Sequence, residues 1–139
     1  MTAPDDRIAI GELLADYALT LDADDIDACL DLFTDTGEFV VYGETLIGRE
    51  RIAGMMTRAP KGMHLTGATH VAVRGDTATA SSQVLFVDST THGMRPALYD
   101  DDLIKTPDGA WRFQRRRCRF ITPHGLADSP NETVNPAEQ

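Results

Sequence analysis

Side chains able to do chemistry fall in three stretches of this 139-residue chain. His64, in GMHLTG, is of the type that acts as a general base near neutral pH once a carboxylate orients its ring. The alternative is a core or edge histidine satisfied by a backbone carbonyl. Asp22 stands in TLDADD, at the C-terminal end of a predicted helix, where a carboxylate faces the negative pole of the helix dipole. A local rule broken without local gain marks functional positions, although Asp22 could equally cap a second helix along with Asp24 and Asp25. Tyr17 lies on the apolar side of the first helix, so its hydroxyl needs a partner inside the protein. Arg116 belongs to the run RRRCR at 115–119. Strict alternation puts Arg115, Arg117 and Arg119 on one strand face and Arg116 with Cys118 and Phe120 on the other, unless a one-residue bulge reverses the assignment. A buried Arg116 would need an anion or a polar substrate group. His70, six residues after His64, shares its strand face but lies roughly 20 Å along the strand, too far to join it.

The elements that must position these groups are readable from periodicity. Ile10, Leu13, Leu14, Tyr17, Ala18 and Leu21 recur at three- and four-residue steps, which predicts an amphipathic helix over 6–21. A short helix follows through Ile26, Cys29, Leu30 and Phe33, with Asp24 or Asp25 as its N-cap. GEFVVYG at 37–43 reads as a strand, and 49–57 as a third helix ended before Pro60. Residues 62–73 lead into the turn RGDT and a returning strand over 78–87. A second hairpin pairs 97–105 with 110–121 through TPDG. Helices first and long hairpins after predict an α+β fold, with N-terminal helices closing a strongly curved antiparallel sheet into a cone that has an apolar interior and one open end. One domain over 1–123 is expected, with 124–139 as a loosely ordered tail rich in Pro, Asn, Asp and Glu. Tyr42, Phe33, Met55, Met63, Phe86 and Tyr99 are the expected substrate-binding walls, with Asp101 a further candidate for the lining.

Composition narrows the partners. The net charge is −9, and residues 1–50 carry thirteen acids against only Arg7 and Arg49. Such a chain repels phosphate backbones, so no nucleic-acid partner is expected despite the arginine run. No apolar stretch approaches the roughly 20 residues of a membrane helix. The opening MTAPDDRIAI lacks the basic and apolar segments of a secretory signal. No membrane partner and a cytoplasmic location are expected. Cys29 and Cys118 form no CxxC pair and are read as small buried hydrophobes. No metal or nucleotide motif is present, so no metal and no cofactor are expected.

Tyr17 in the opening helix, LDADDIDACLDLFTDTGEF, the histidine after KGM, GDTATASS and DGAWRFQRRR together resemble the nuclear transport factor 2-like superfamily. The similarity covers about residues 6–121 and is greatest to the polyketide-cyclase-like branch that includes scytalone dehydratase, hexachlorocyclohexane dehydrochlorinase and bile-acid dehydratase. The resemblance implies the same cone-shaped fold. It also implies a catalytic pair of Asp22 and His64, a polar assistant at Tyr17 and a catalytic arginine at Arg116. The isomerase relatives' aspartate would fall near Val41, and the dehydratase's second histidine near Val87 or Asp88, so neither mechanism transfers whole. A cofactor-independent lyase, dehydratase-like or dehydrohalogenase-like, acting on a hydrophobic cyclic or polyketide-like small molecule is the expectation. An isomerase, cyclase or epoxide hydrolase in the same pocket, or a non-catalytic ligand-binding module, stays open. A homo-oligomer, dimer or trimer, is likewise implied by the resemblance.

Overall fold

The computed structural model describes residues 4–130. Helix α1 (Pro4–Asp22) and the single-turn α2 (Ile26–Leu30) precede β1 (Phe33–Val41), β2 (Glu44–Ile47) and α3 (Arg49–Arg58). Four long strands follow: β3 (Gly62–Arg74), β4 (Thr77–Asp88), β5 (Met94–Lys105) and β6 (Trp111–Thr122), then the short β7 (Gly125–Ala127). Among the described residues they form one curved, unclosed sheet in the order β2-β1-β6-β5-β4-β3, with β7 added beside β6. All pairings are antiparallel except β1 with β6. The α+β architecture with N-terminal helices against a curved sheet is the one expected. No helix among the described residues is long and apolar enough to cross a membrane.

The predicted stripe of α1 is its buried face: Ile10, Leu13, Leu14, Tyr17 and Ala18 are buried, and Leu21 packs against the same core. Polar contacts fix the helix along its axis. Asp6 accepts from the Trp111 indole N–H at 3.1 Å and from Lys105 Nζ at 3.1 Å, and Arg7 donates to the Val71 carbonyl at 2.9 Å. From Arg7 to Asp22 the helix rises about 22 Å at 1.5 Å per residue. From Val71 back to His64 the strand covers about 23 Å at 3.3 Å per residue. The two rulers agree, so anchoring the N-terminus of α1 delivers Asp22 to His64.

Several boundaries differ from the sequence reading. GEFVVYG is not a lone strand: Tyr42 and Gly43 form a two-residue turn with φ of +54° and +72°, and β2 returns antiparallel. A turn of this kind usually carries Asn-Gly, and a bulky residue at positive φ is unusual. β1 begins at Phe33, and its register against β6 shifts between Phe33 and Glu38. Within the expected loose tail, Gly125–Ala127 forms β7, because the 122–125 turn folds these residues back onto β6. Residues 131–139 of that tail lie outside the described residues.

Candidate active site

Three aspartates compete in the 22–25 segment, and each takes a separate task. Asp25 caps α2, its Oδ1 accepting from the Ala28 N–H at 3.3 Å. Asp24 pairs with Lys61 at 2.8 Å. Asp22 is left for His64. Its Oδ1 lies 2.6 Å from His64 Nδ1, and its Oδ2 accepts the His64 backbone N–H at 2.8 Å. β3 is an edge strand, so this N–H would otherwise lack a ladder partner. One carboxylate therefore fixes both the strand edge and the ring. Side-chain exposure is 15% for His64 and 21% for Asp22, which leaves little water to compete for the contact. With Nδ1 committed to the carboxylate, Nε2 is the ring atom available to a bound molecule.

Both residues line an open-mouthed, largely apolar cavity of about 780 Å³, the space at its mouth included. Tyr17, Phe39, Val41, Val84, Phe86, Ala97, Tyr99, Cys118 and Phe120 form much of its inner wall, and Met55, Met56 and Pro60 come from α3 and the segment after it. Phe86 lies beside His64 with ring centroids 4.9 Å apart, and the Tyr17 ring meets the His64 ring nearly perpendicularly at 6.4 Å. Burial pushes the Tyr17 phenol well above the ordinary tyrosine range, with the nearby Arg116 charge opposing. Tyr17 therefore remains a hydroxyl donor at neutral pH. Tyr99 is raised in the same way by burial.

Arg116 is 1% exposed and lies behind the cavity wall, where it is not part of the lining. Its guanidinium carbon sits 4.2 Å from the Tyr17 ring centroid, 4.4 Å from Tyr99 and 4.7 Å from Phe113. Three aromatic faces thus share the cation. Its counter-ion is Asp101, 3% exposed, at 3.5 Å. Burial pushes the Asp101 carboxyl up to about 6, against the pull of Arg116. The extra residue that inverts strand parity does occur, at Gln114, where the β5–β6 register shifts. Because it precedes Arg116, the inward set Arg116, Cys118 and Phe120 stands as alternation predicted. Cys29 and Cys118 are free and buried.

The structure brings Asp22, His64, Tyr17, Tyr42, Met55, Phe86 and Tyr99 to one cavity. It does not bring Met63, Phe33 or Asp101 there. Met63 is 47% exposed, because alternation turns it outward when its neighbour His64 points in. Phe33 packs edge-on against Tyr17 and beside Phe113 at 5.2 Å, in the closed core. Asp101 stays behind the wall with Arg116. Arg95 and Lys61 line the mouth and were not anticipated. The signal for Arg95 was its parity with Ala97 and Tyr99 on one strand.

A SnoaL-like domain profile matches residues 3–117. An uncharacterized protein of Mycobacterium tuberculosis is 32% identical over 123 residues, covering 80% of this chain and 82% of the relative. The solved structure of another M. tuberculosis protein, of unknown function, superposes with a TM-score of 0.79 at 32% identity, covering 94% of this chain and 83% of that one. Hexachlorocyclohexane dehydrochlorinase LinA-type3 from Novosphingobium barchaimii superposes with a TM-score of 0.75 at 19% identity, covering 95% of each chain; that likeness shows the fold alone. On these matches and the fold they share, the chain belongs to the SnoaL-like domain family of the nuclear transport factor 2-like superfamily.

Proposed function

We propose that this protein is a cofactor-independent lyase that eliminates water or halide from a hydrophobic cyclic or polyketide-like small molecule. The observation that carries the reading is the 2.6 Å contact between His64 Nδ1 and Asp22 Oδ1 at the wall of an apolar cavity. His64 Nε2 takes a proton from a carbon next to an activating group. The C–H electron pair becomes the new double bond, and the leaving group departs with its bonding pair. Asp22 holds the ring with Nδ1 protonated and stabilises the imidazolium that forms. The Tyr17 hydroxyl donates to the departing or developing oxygen. Arg116 adds positive potential from behind Tyr17, through the ring it touches, and does not itself meet the substrate.

The test uses a probe that requires only a base in an apolar pocket. Nitrobenzisoxazole opens to a coloured cyanophenolate when its ring C–H is deprotonated and its N–O bond breaks. The protein is expected to accelerate this opening over buffer, and His64→Ala to lose roughly a hundred- to ten-thousand-fold of that acceleration. Equal rates with the protein and with His64→Ala would overturn the base assignment.

Self-association is part of the same reading. On the outer sheet face, Leu65, Leu85, Pro96 and Ile121 line one shallow surface groove, continued by Leu126 opposite Ile121. Leu65, Ile121 and Leu126 are 47%, 43% and 45% exposed. A contiguous apolar patch of this kind favours burial against a second copy of the chain.

A further inference from the structure

Four charged residues line the cavity: Asp22, Lys61, His64 and Arg95, with histidine counted as chargeable. Three are engaged within the protein. Both Asp22 oxygens bond His64, and Lys61 pairs with Asp24 and reaches the Met56 carbonyl at 3.3 Å. Arg95 differs. The one hydrogen bond of its guanidinium to a described residue is a long contact of 3.4 Å to the Tyr42 hydroxyl, and it forms no ion pair within 4 Å among the described residues. Asp88 feels the Arg95 charge, but its Oδ1 accepts the Thr90 and Thr91 backbone N–H groups at 2.8 and 3.0 Å. In a chain with a net charge of −9, an uncommitted guanidinium at the mouth of an apolar cavity is a local exception.

Its place in the sheet gives a ruler. His64 is the cross-strand partner of Phe86, and Phe86 of Arg95, so the three side chains stand in one inward row. Two strand spacings put the His64 and Arg95 backbones about 10 Å apart, with the Phe86 ring between. A flat ring lying over Phe86 can present a C–H at one end to His64 and an anionic group at the other to Arg95. Guanidinium binds carboxylate through two parallel N–H···O bonds. The Tyr42 hydroxyl, held beside Arg95 by the positive-φ turn, can add a third donor.

We propose that Arg95 anchors an anionic oxygen group at the cavity mouth, so that the substrate is a ring system bearing a carboxylate about one ring's length from the reacting carbon. This rests on the elimination reading for the identity of the reacting end, but the anchor itself is testable without turnover. Calorimetric binding of naphthoate and of the uncharged naphthamide is measured on the full chain, Arg95→Gln, Lys61→Gln and His64→Ala. The intact protein is expected to prefer naphthoate by about tenfold or more. Arg95→Gln is expected to lose that preference while binding naphthamide unchanged, which also shows that its cavity is intact. Lys61→Gln and His64→Ala are expected to keep it. No naphthoate binding, equal affinity for the two probes, or a preference that survives Arg95→Gln overturns the anchor. So does a preference lost in His64→Ala or Lys61→Gln, since the anion would then sit on that group. A naphthoate preference that depends on Arg95, together with unchanged nitrobenzisoxazole opening in His64→Ala, would sink the lyase reading and leave the anchor standing.

Discussion

Asp22→Asn keeps the side-chain shape and removes the charge, so it isolates what the carboxylate does. In the native site both oxygens accept, one from His64 Nδ1 at 2.6 Å and one from the His64 backbone N–H at 2.8 Å. An amide has one acceptor and one donor end. If its oxygen faces the ring, its NH2 opposes the backbone N–H, donor against donor. If it turns round, the NH2 donates to Nδ1 and the ring proton moves to Nε2, the atom that must be free to act as base. The imidazolium formed during reaction also loses its counter-charge. For unit charges about 4 Å apart at an effective dielectric of about 20 this is worth about 4 kcal/mol, or roughly a thousand-fold in rate. The 15% and 21% exposure of the pair admits some screening, so a loss of roughly one hundred- to one thousand-fold is expected. One donor left unsatisfied costs about 1–3 kcal/mol in stability, read as a lower melting temperature. The assay is nitrobenzisoxazole opening at neutral pH, with a thermal melt on the same sample. Activity within about threefold of the native protein would show that the Asp22 charge does not support the base.

Tyr17→Phe removes only the hydroxyl; substrate turnover is expected to fall roughly ten- to a hundred-fold with the melt nearly unchanged, and an unaltered kcat would remove Tyr17 from the chemistry. Asp101 has a folded pKa of about 6 against 3.8 for an unperturbed aspartate, so the folded state holds that proton more tightly than the unfolded one. Its contribution to stability is complete below the unfolded value and is lost as pH rises through about 6, amounting to about 3 kcal/mol. Denaturant unfolding between those pH values is expected to show this slope in the native protein. In Asp101→Asn the slope should be absent, whatever the absolute stability of a variant that leaves Arg116 without its anion. Leu65→Asp combined with Ile121→Asp is expected to convert an oligomer to single chains in light scattering while keeping nitrobenzisoxazole opening; a native protein already of single-chain mass contradicts the self-association proposal.

What was legible in the sequence depended on whether a local rule governed it. The α1 stripe and the RGDT hairpin follow from spacing and turn chemistry alone, and both stand in the fold. The β1–β2 turn was hidden because Tyr42 occupies a positive-φ position for which its side chain gives no cue. β7 was hidden because three residues in a polar segment owe their strand to pairing with β6 rather than to their own pattern. The assignment of Met63 as a wall conflicted with alternation, since His64 and its neighbour cannot both face the cavity. Asp101 shares the inward parity of Ala97 and Tyr99 on β5, and only its pairing opposite Arg116 assigns it to a buried ion pair rather than to the cavity wall. The capping competition in DADD likewise resolves only through Lys61 and His64, which are distant in sequence.

The Asp22–His64 pairing is best tested by the nitrogen-15 NMR spectrum of the His64 ring, recorded with the ring neutral in the native protein and in Asp22→Asn. The pairing requires a neutral ring protonated at Nδ1 with a bare Nε2 in the native protein, and a shift toward the Nε2-protonated tautomer in the variant. A native ring carrying its proton on Nε2, or a tautomer indifferent to the substitution, would contradict it.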